Sequence, residues 1–206
     1  MNFTEKPKEA FSKIRFLDYY MEGHAGFIAG GCFKNIFKKE KVKDLDIFFN
    51  NESDFNNALS VFEADDAFVF SYENPRVVSF KNKNTNIRIE LIRHVYGTPK
   101  EILSMFDFSV TRFAYAKRSA STVVGNQLVD MIEYYSVFVD TFFEDLVNNK
   151  LVIDGDLPFP ISSFERSYRY RSYGFGLCKE SKAKLIEALK VADTNSLSND
   201  LYFGLD

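Results

Sequence analysis

The chain has 206 residues, 46% of them hydrophobic and 27% charged, and a net charge of −3. That length suits one sizeable domain or two small ones. The acidic balance excludes a surface coated for nucleic acid, so any such contact must come from a local patch. Cys32 and Cys178 lie far apart and form no metal pattern. The N-terminus lacks an apolar signal core, and no apolar run is long enough to span a bilayer, so a reduced, cytoplasmic protein with no membrane partner is expected.

Residues 5–21 read as a helix, with Phe11, Ile14, Leu17 and Met21 at helical spacing. A strand follows at 27–29, then a helix opens at Cys32 after Gly30-Gly31, and a strand is expected at 45–49. Residues 50–66 read as a capped helix with Phe55, Leu59 and Phe62 on one face. Strands at 68–72 and 77–80 join through Asn74-Pro75, and a polar turn at 81–86 leads to a returning strand at 87–92. Pro99 starts a short helix to Met105, and 112–116 read as strand.

Beyond about residue 120 the pattern changes. Residues 128–150 carry apolar side chains at helical spacing, which leaves Asp140, Glu144 and Asp145 on the remaining surface. DGDLPFP is a break, and Ser162-Ser163-Phe164-Glu165 fits a capping box with Ser162 as the cap. Helices follow at 163–173 and 179–191, and the Ser/Asn-rich tail from Asp193 is expected to be loosely held. The sum is an α+β chain: a mixed sheet flanked by helices, followed by a small helical lobe.

Residues two apart on a strand point to one face, so Asp44 and Asp46 project together while Leu45, Ile47 and Phe49 project into the packing. Two adjacent carboxylates repel and need a counter-charge, and oxygen-only ligands suit Mg²⁺ or Mn²⁺. Ile87-Arg88-Ile89-Glu90-Leu91-Ile92 alternates in the same way. If that strand lies beside the aspartate strand, Glu90 completes a triad able to hold two metals for in-line phosphoryl chemistry. Gly30 and Gly31 allow close backbone approach to a phosphate, Lys34 sits one turn into the helix, and Lys38, Lys39, Lys41 and Lys43 form a basic loop before the aspartates.

Each of these elements has a plainer reading taken singly. An Asp-x-Asp is usually a solvated edge or a cap, a Gly-Gly a turn, a lysine run a solvated loop, and Glu90 beside Arg88 a surface charge. Their order is far more specific than any part. ERSYRYRSY, residues 165–173, brings Arg166, Arg169, Tyr170 and Tyr173 close to one face. Tyrosine can stack on a base and arginine can bind phosphate. The alternative is a helix packed on the preceding lobe, with Arg166 and Arg169 paired to carboxylates such as Asp154 or Asp156. His24 and His94 flank the aspartate region without partners, and Cys32 reads as a small packing residue.

Together these blocks resemble the nucleotidyltransferase superfamily of the polymerase-β-like fold, and within it the head and neck of bacterial CCA-adding tRNA nucleotidyltransferases and poly(A) polymerases. That family reads Gly-Gly-x-x-Arg-Asp and then Asp-x-Asp. Here the residues are Gly30-Gly31-Cys32-Phe33-Lys34-Asn35 and Asp44-Leu45-Asp46. A second block resembles Phe106-Asp107-Phe108-Ser109-Val110-Thr111-Arg112-Phe113-Ala114-Tyr115, and the neck helix resembles Ser163 to Tyr170, with Gly174-Phe175 after it. Short phage-encoded nucleotidyltransferase-like proteins are similar as well.

The resemblance implies a catalytic head over 1–120, a helical neck over 121–195 and a tail over 196–206. It implies that Asp44, Asp46 and Glu90 are catalytic and hold Mg²⁺ or Mn²⁺, and that Gly30, Gly31 and Lys34 seat the triphosphate of an NTP. Asp107 and Arg112 would contact the nucleotide, and Lys43, Arg166, Arg169 and Tyr170 would contact nucleic acid. The implied reaction is transfer of a nucleoside monophosphate to an acceptor hydroxyl, with an RNA 3′ end, possibly that of tRNA, favoured. A catalytically weak binding module, or transfer to a protein or small molecule, is the alternative. Lys34, Asn35, Phe106 and Thr111 stand where the family has Arg, Asp, Arg and Asn. Neither the family's base-reading template nor its tRNA-gripping body and tail domains are matched, so CCA addition as such is not expected.

Overall fold

The computed structural model describes residues 1–124 and 127–192. The chain opens with β1 (Phe3–Pro7), followed by one 3₁₀ turn at Lys8–Ala10 and a longer 3₁₀ segment at Ser12–Met21. The α-helix expected over 5–21 is therefore a strand and 3₁₀ turns. Ile14, Leu17 and Tyr20 are buried at a spacing of three, which is the 3₁₀ repeat rather than the α repeat. Next come β2 (Phe27–Ala29), α1 (Cys32–Lys38), β3 (Asp44–Phe49) and α2 (Glu52–Ala64), the last capped by Asn51, whose Oδ1 accepts from the Asp54 amide at 2.9 Å. Then β4 (Phe68–Asn74), β5 (Val77–Asn82) and β6 (Arg88–Tyr96) form an antiparallel meander. After α3 (Pro99–Met105), with a capping box between Thr98 and Glu101, a 3₁₀ turn at Ser109–Thr111 leads into β7 (Phe113–Val124).

The helix expected over 128–150 is instead β8 (Gln127–Val139) and the short α4 (Phe142–Val147). Val137 and Phe138 are both buried, on opposite faces of the sheet, so this end of the strand shows no polar alternation and mimics a helical pattern. Asp145 is buried, contrary to its expected surface place. The remaining elements are β9 (Lys150–Leu151), α5 (Pro160–Ser172), β10 (Gly176–Leu177) and α6 (Lys179–Lys190). The expected Ser162 cap is corrected: Phe159 is the cap residue, Pro160 opens the helix, and Ser163 Oγ donates to the Phe159 carbonyl at 3.0 Å. The tail from Asp193 lies outside the described residues.

Among the described residues, eight strands form one mixed sheet in the order β1-β8-β7-β2-β3-β6-β5-β4, and β9 with β10 form a small parallel pair. Neighbours in the large sheet are antiparallel except β3 and β6, which run parallel. β7 runs through residue 120, where the boundary between lobes is expected, and β8 continues the same sheet. Leu45, Ile47, Phe49, Ile89 and Leu91 face the main core with Phe33, Phe55 and Phe62, while Phe48, Ile92 and Ala114 face a smaller core with Ile102 and Leu103 of α3. No described helix is long and apolar enough to cross a membrane.

Candidate active site

The chain leaves β2 through Gly30 at φ +103°, where a side chain would strain the backbone, and the Gly30 amide donates to the Phe113 carbonyl at 3.1 Å. Gly31 precedes α1, and a Cβ added to it would lie 3.2 Å from Tyr170 Oη. The missing side chain thus lets α5 close against the start of α1. On β3, Leu45, Ile47 and Phe49 are wholly buried, while Asp44 and Asp46 share the opposite face. The parallel register sets Asp46 beside Glu90 and Asp44 beside Arg88.

A cleft of about 350 Å³ lies between α1, β3 and α5, lined by Gly31, Lys34, Asp44, Asp46, Tyr170 and Tyr173 together with Asn35, Glu40, Lys41, Lys43 and Arg169. Gly31, the two aspartates and the end of α5 therefore meet at one cleft. Lys34 is 5% exposed. Its Nζ donates to the Asn35 side chain and to Glu40 Oε2, the latter at 3.2 Å, and lies 4.9 Å from the Tyr173 ring centroid. Burial pushes the Cys32 thiol well up, and Asp46 and Asp44 push it the same way. That thiol stays protonated and is no nucleophile, as its packing role requires.

Glu90 does not line this cleft. Its Oε1 accepts from Tyr72 Oη at 2.6 Å and lies 3.7 Å from Arg88 Nη1. Burial, then the bond to Glu90, raises Tyr72 to about 12, so the phenol keeps its proton. The expected convergence of three carboxylates is not seen: Asp44 and Asp46 line the cleft, and Glu90 is turned toward β4. Among the described residues, no three His, Cys, Asp or Glu side chains come together closely enough to hold a metal. The donor chemistry nonetheless fits a hard divalent cation: two carboxylates share one face, and a third stands beside them in register.

Four residues expected at the nucleotide or nucleic acid are engaged inside the protein, and one of them is Tyr170, whose ring is buried against Phe108 and Phe175. Asp107 is buried and accepts from Arg166 Nε at 2.7 Å, which ties α5 to the turn before β7. Arg112 is fully buried, donates from Nε to the Phe106 carbonyl at 2.9 Å and pairs with Asp154. Arg166 thus finds a carboxylate, but Asp107 rather than Asp154 or Asp156. Lys43 and Arg169 are exposed on the cleft wall. His24 is buried beside Phe49 and Phe62, with Nδ1 accepting from the Gly26 amide and Nε2 donating to the Tyr20 carbonyl, each at 3.0 Å. His94 lies by the Arg76 carbonyl on the β5–β6 side. Sequence reasoning missed Glu40 as the partner of Lys34 and Tyr72 as the partner of Glu90. Glu40 sits between Lys39 and Lys41 in the basic loop, an acidic residue close to Lys34 in sequence, whereas nothing local marks Tyr72.

The fold is of the nucleotidyltransferase type. A CCA-adding enzyme solved with CTP matches it with a TM-score of 0.62 at 14% identity, over 100% of this chain and 52% of that one. A tRNA-processing enzyme in an apo form matches with a TM-score of 0.60 at 16% identity, over 95% of this chain and 53% of that one. A Thermotoga maritima CCA-adding enzyme complexed with tRNA matches with a TM-score of 0.59 at 14% identity, over 100% and 52%. The chain therefore spans about half the length of these solved structures. A family model described as Gabija anti-defense 2 family protein matches residues 2–153, and the chain belongs to that family. No curated protein matches the chain by sequence.

Proposed function

We propose that the protein is a metal-dependent nucleotidyltransferase that moves a nucleoside monophosphate from an NTP to an acceptor hydroxyl and releases pyrophosphate. The observation that carries this reading is the pairing of Asp44 and Asp46 with Lys34 in one cleft, with Glu90 next to Asp46 in register. Asp44 and Asp46 would hold Mg²⁺ or Mn²⁺, and Glu90 would join them by turning its side chain. When bound, such a metal supplies charge neutralisation for phosphates and acidifies an attacking hydroxyl. Gly31 lines the cleft at the start of α1, and Lys34, already held by burial and by Glu40, needs little reordering to meet a phosphate there. Tyr173, half exposed at the cleft, offers a stacking face, and Lys43 and Arg169 offer charge for a nucleic-acid backbone. We assign Asp107 and Arg112 to holding the neck and the adjoining turn in place rather than to touching the nucleotide.

An RNA 3′ end is the favoured acceptor, since the solved enzymes of this fold are named for tRNA. The family description supports a second reading, in which the acceptor is a protein or small-molecule component of the Gabija defence that the family is named for opposing. Incubation with each labelled NTP, Mg²⁺ and either total RNA or a lysate carrying that defence tests both. Label is expected in one fraction with wild type and in neither with Asp44→Ala/Asp46→Ala. Equal labelling by the double variant would sink the catalytic assignment, and no labelling of any fraction would leave a nucleotide-binding module.

A further inference from the structure

We propose that Tyr72 is a positioning residue that holds Glu90 withdrawn from the Asp44/Asp46 pair, so that a divalent cation must take Glu90 from it; this rests on the metal reading above. Four strands set up the contact. Asp46 on β3 pairs with Glu90 on β6, Glu90 with Ser79 on β5, and Ser79 with Tyr72 on β4, which makes one row across the sheet. The β4–β5 register shifts between Phe70 and Tyr72. Without that irregularity Tyr72 would stand opposite Val78 and project from the other face of the sheet. With it, the hydroxyl reaches across fully buried Ser79 to Glu90 Oε1 at 2.6 Å.

Tyr72 and Asp46 therefore flank Glu90 from opposite sides. Arg88 completes the holding group, with Nη1 3.7 Å from the same oxygen and its guanidinium carbon 5.9 Å from the Tyr72 ring centroid. A carboxylate already given a hydroxyl donor and a nearby cation has less to gain from a metal. The withdrawn and ligating positions of Glu90 then compete, and Tyr72 sets the balance between them.

The test is Mn²⁺ binding to the full chain, read from the loss of free-ion paramagnetic resonance signal, with no nucleotide present. Tyr72→Phe keeps the ring and removes the donor, so it is expected to bind Mn²⁺ about three- to tenfold more tightly than wild type. The gain should vanish in Tyr72→Phe/Glu90→Gln relative to Glu90→Gln alone, a coupling that loosened packing would not produce. Unchanged or weaker binding by Tyr72→Phe, with wild type still binding better than Asp44→Asn/Asp46→Asn, overturns the withdrawal and leaves the metal reading standing. Wild type binding no better than that double aspartate variant overturns the metal reading and the inference with it.

Discussion

Arg166 on α5 and Asp107 before β7 form a buried ion pair, with Arg166 Nε 2.7 Å from Asp107 Oδ2. The pair fixes the helix that carries Tyr170 and Tyr173 against the lobe that carries Asp44 and Asp46. Truncating one member leaves the other charged and out of water. Arg166→Ala and Asp107→Ala are each expected to lower unfolding free energy by about 3–5 kcal/mol. The double variant should lose less than the sum of the two, as measured by urea denaturation.

The two glycines should separate in their effects. Gly30 sits at φ +103°, so Gly30→Ala is expected to cost about 1–3 kcal/mol of stability. Gly31 has φ −64°, which any residue accepts, and its added Cβ would meet only Tyr170 Oη at 3.2 Å. Gly31→Ala should keep the thermal midpoint within a few degrees and weaken binding of a fluorescent NTP analogue. A large stability loss in Gly31→Ala would contradict this division of roles.

His24 makes stability depend on pH in a defined window. Burial lowers its pKa to about 4 from 6.5, with the Tyr20 carbonyl bond opposing and the Lys117 charge adding to the shift. Between these values the unfolded chain binds a proton that the folded chain does not, so stability is full above pH 6.5 and falls as pH drops toward 4. The loss is on the order of 3 kcal/mol. Urea midpoints measured from pH 7 to 4.5 should show the decline, and His24→Gln should flatten it.

Lys43 and Arg169 are exposed on the cleft wall. If a single-stranded acceptor runs past them, each of Lys43→Ala and Arg169→Ala removes one phosphate contact. The slope of log affinity against log salt for a short RNA should then fall by about 0.7 per substitution. A loss of affinity with an unchanged slope would place the effect elsewhere.

Much of the site was readable because alternation survives in the sequence. DLDIFF places both aspartates opposite Leu45 and Ile47, and the Glu90 strand repeats the pattern, so period two gives the face of each carboxylate, while the pairing of β3 with β6 is supplied by the fold. β8 was not readable for the opposite reason: both of its faces are covered near Val137 and Phe138, which removes the alternation. The 3₁₀ segment at Ser12–Met21 is hard to tell from α in sequence because spacings of three and four overlap over so short a run. Contacts made by tertiary pairing, such as Tyr72 with Glu90 and Arg112 with Asp154, leave no local trace. The Tyr72 contact further depends on a one-residue register slip.

The parallel pairing of β3 and β6 also constrains when the site can exist during folding. An antiparallel neighbour can zip from a turn, but parallel strands meet only after the intervening chain has folded back. Here that chain is α2, β4 and β5, so Asp46 gains Glu90 beside it only once the whole crossover is in place. Such a non-local closure is slow relative to hairpins and helices. In a partly folded chain the two aspartates exist without their third partner, and a cation cannot template the domain from the outset. The site is a late product of folding, and pulse-labelled exchange of the Arg88 amide, which donates to the Lys43 carbonyl at 3.0 Å, should report its arrival after the β7–β8 hairpin is protected.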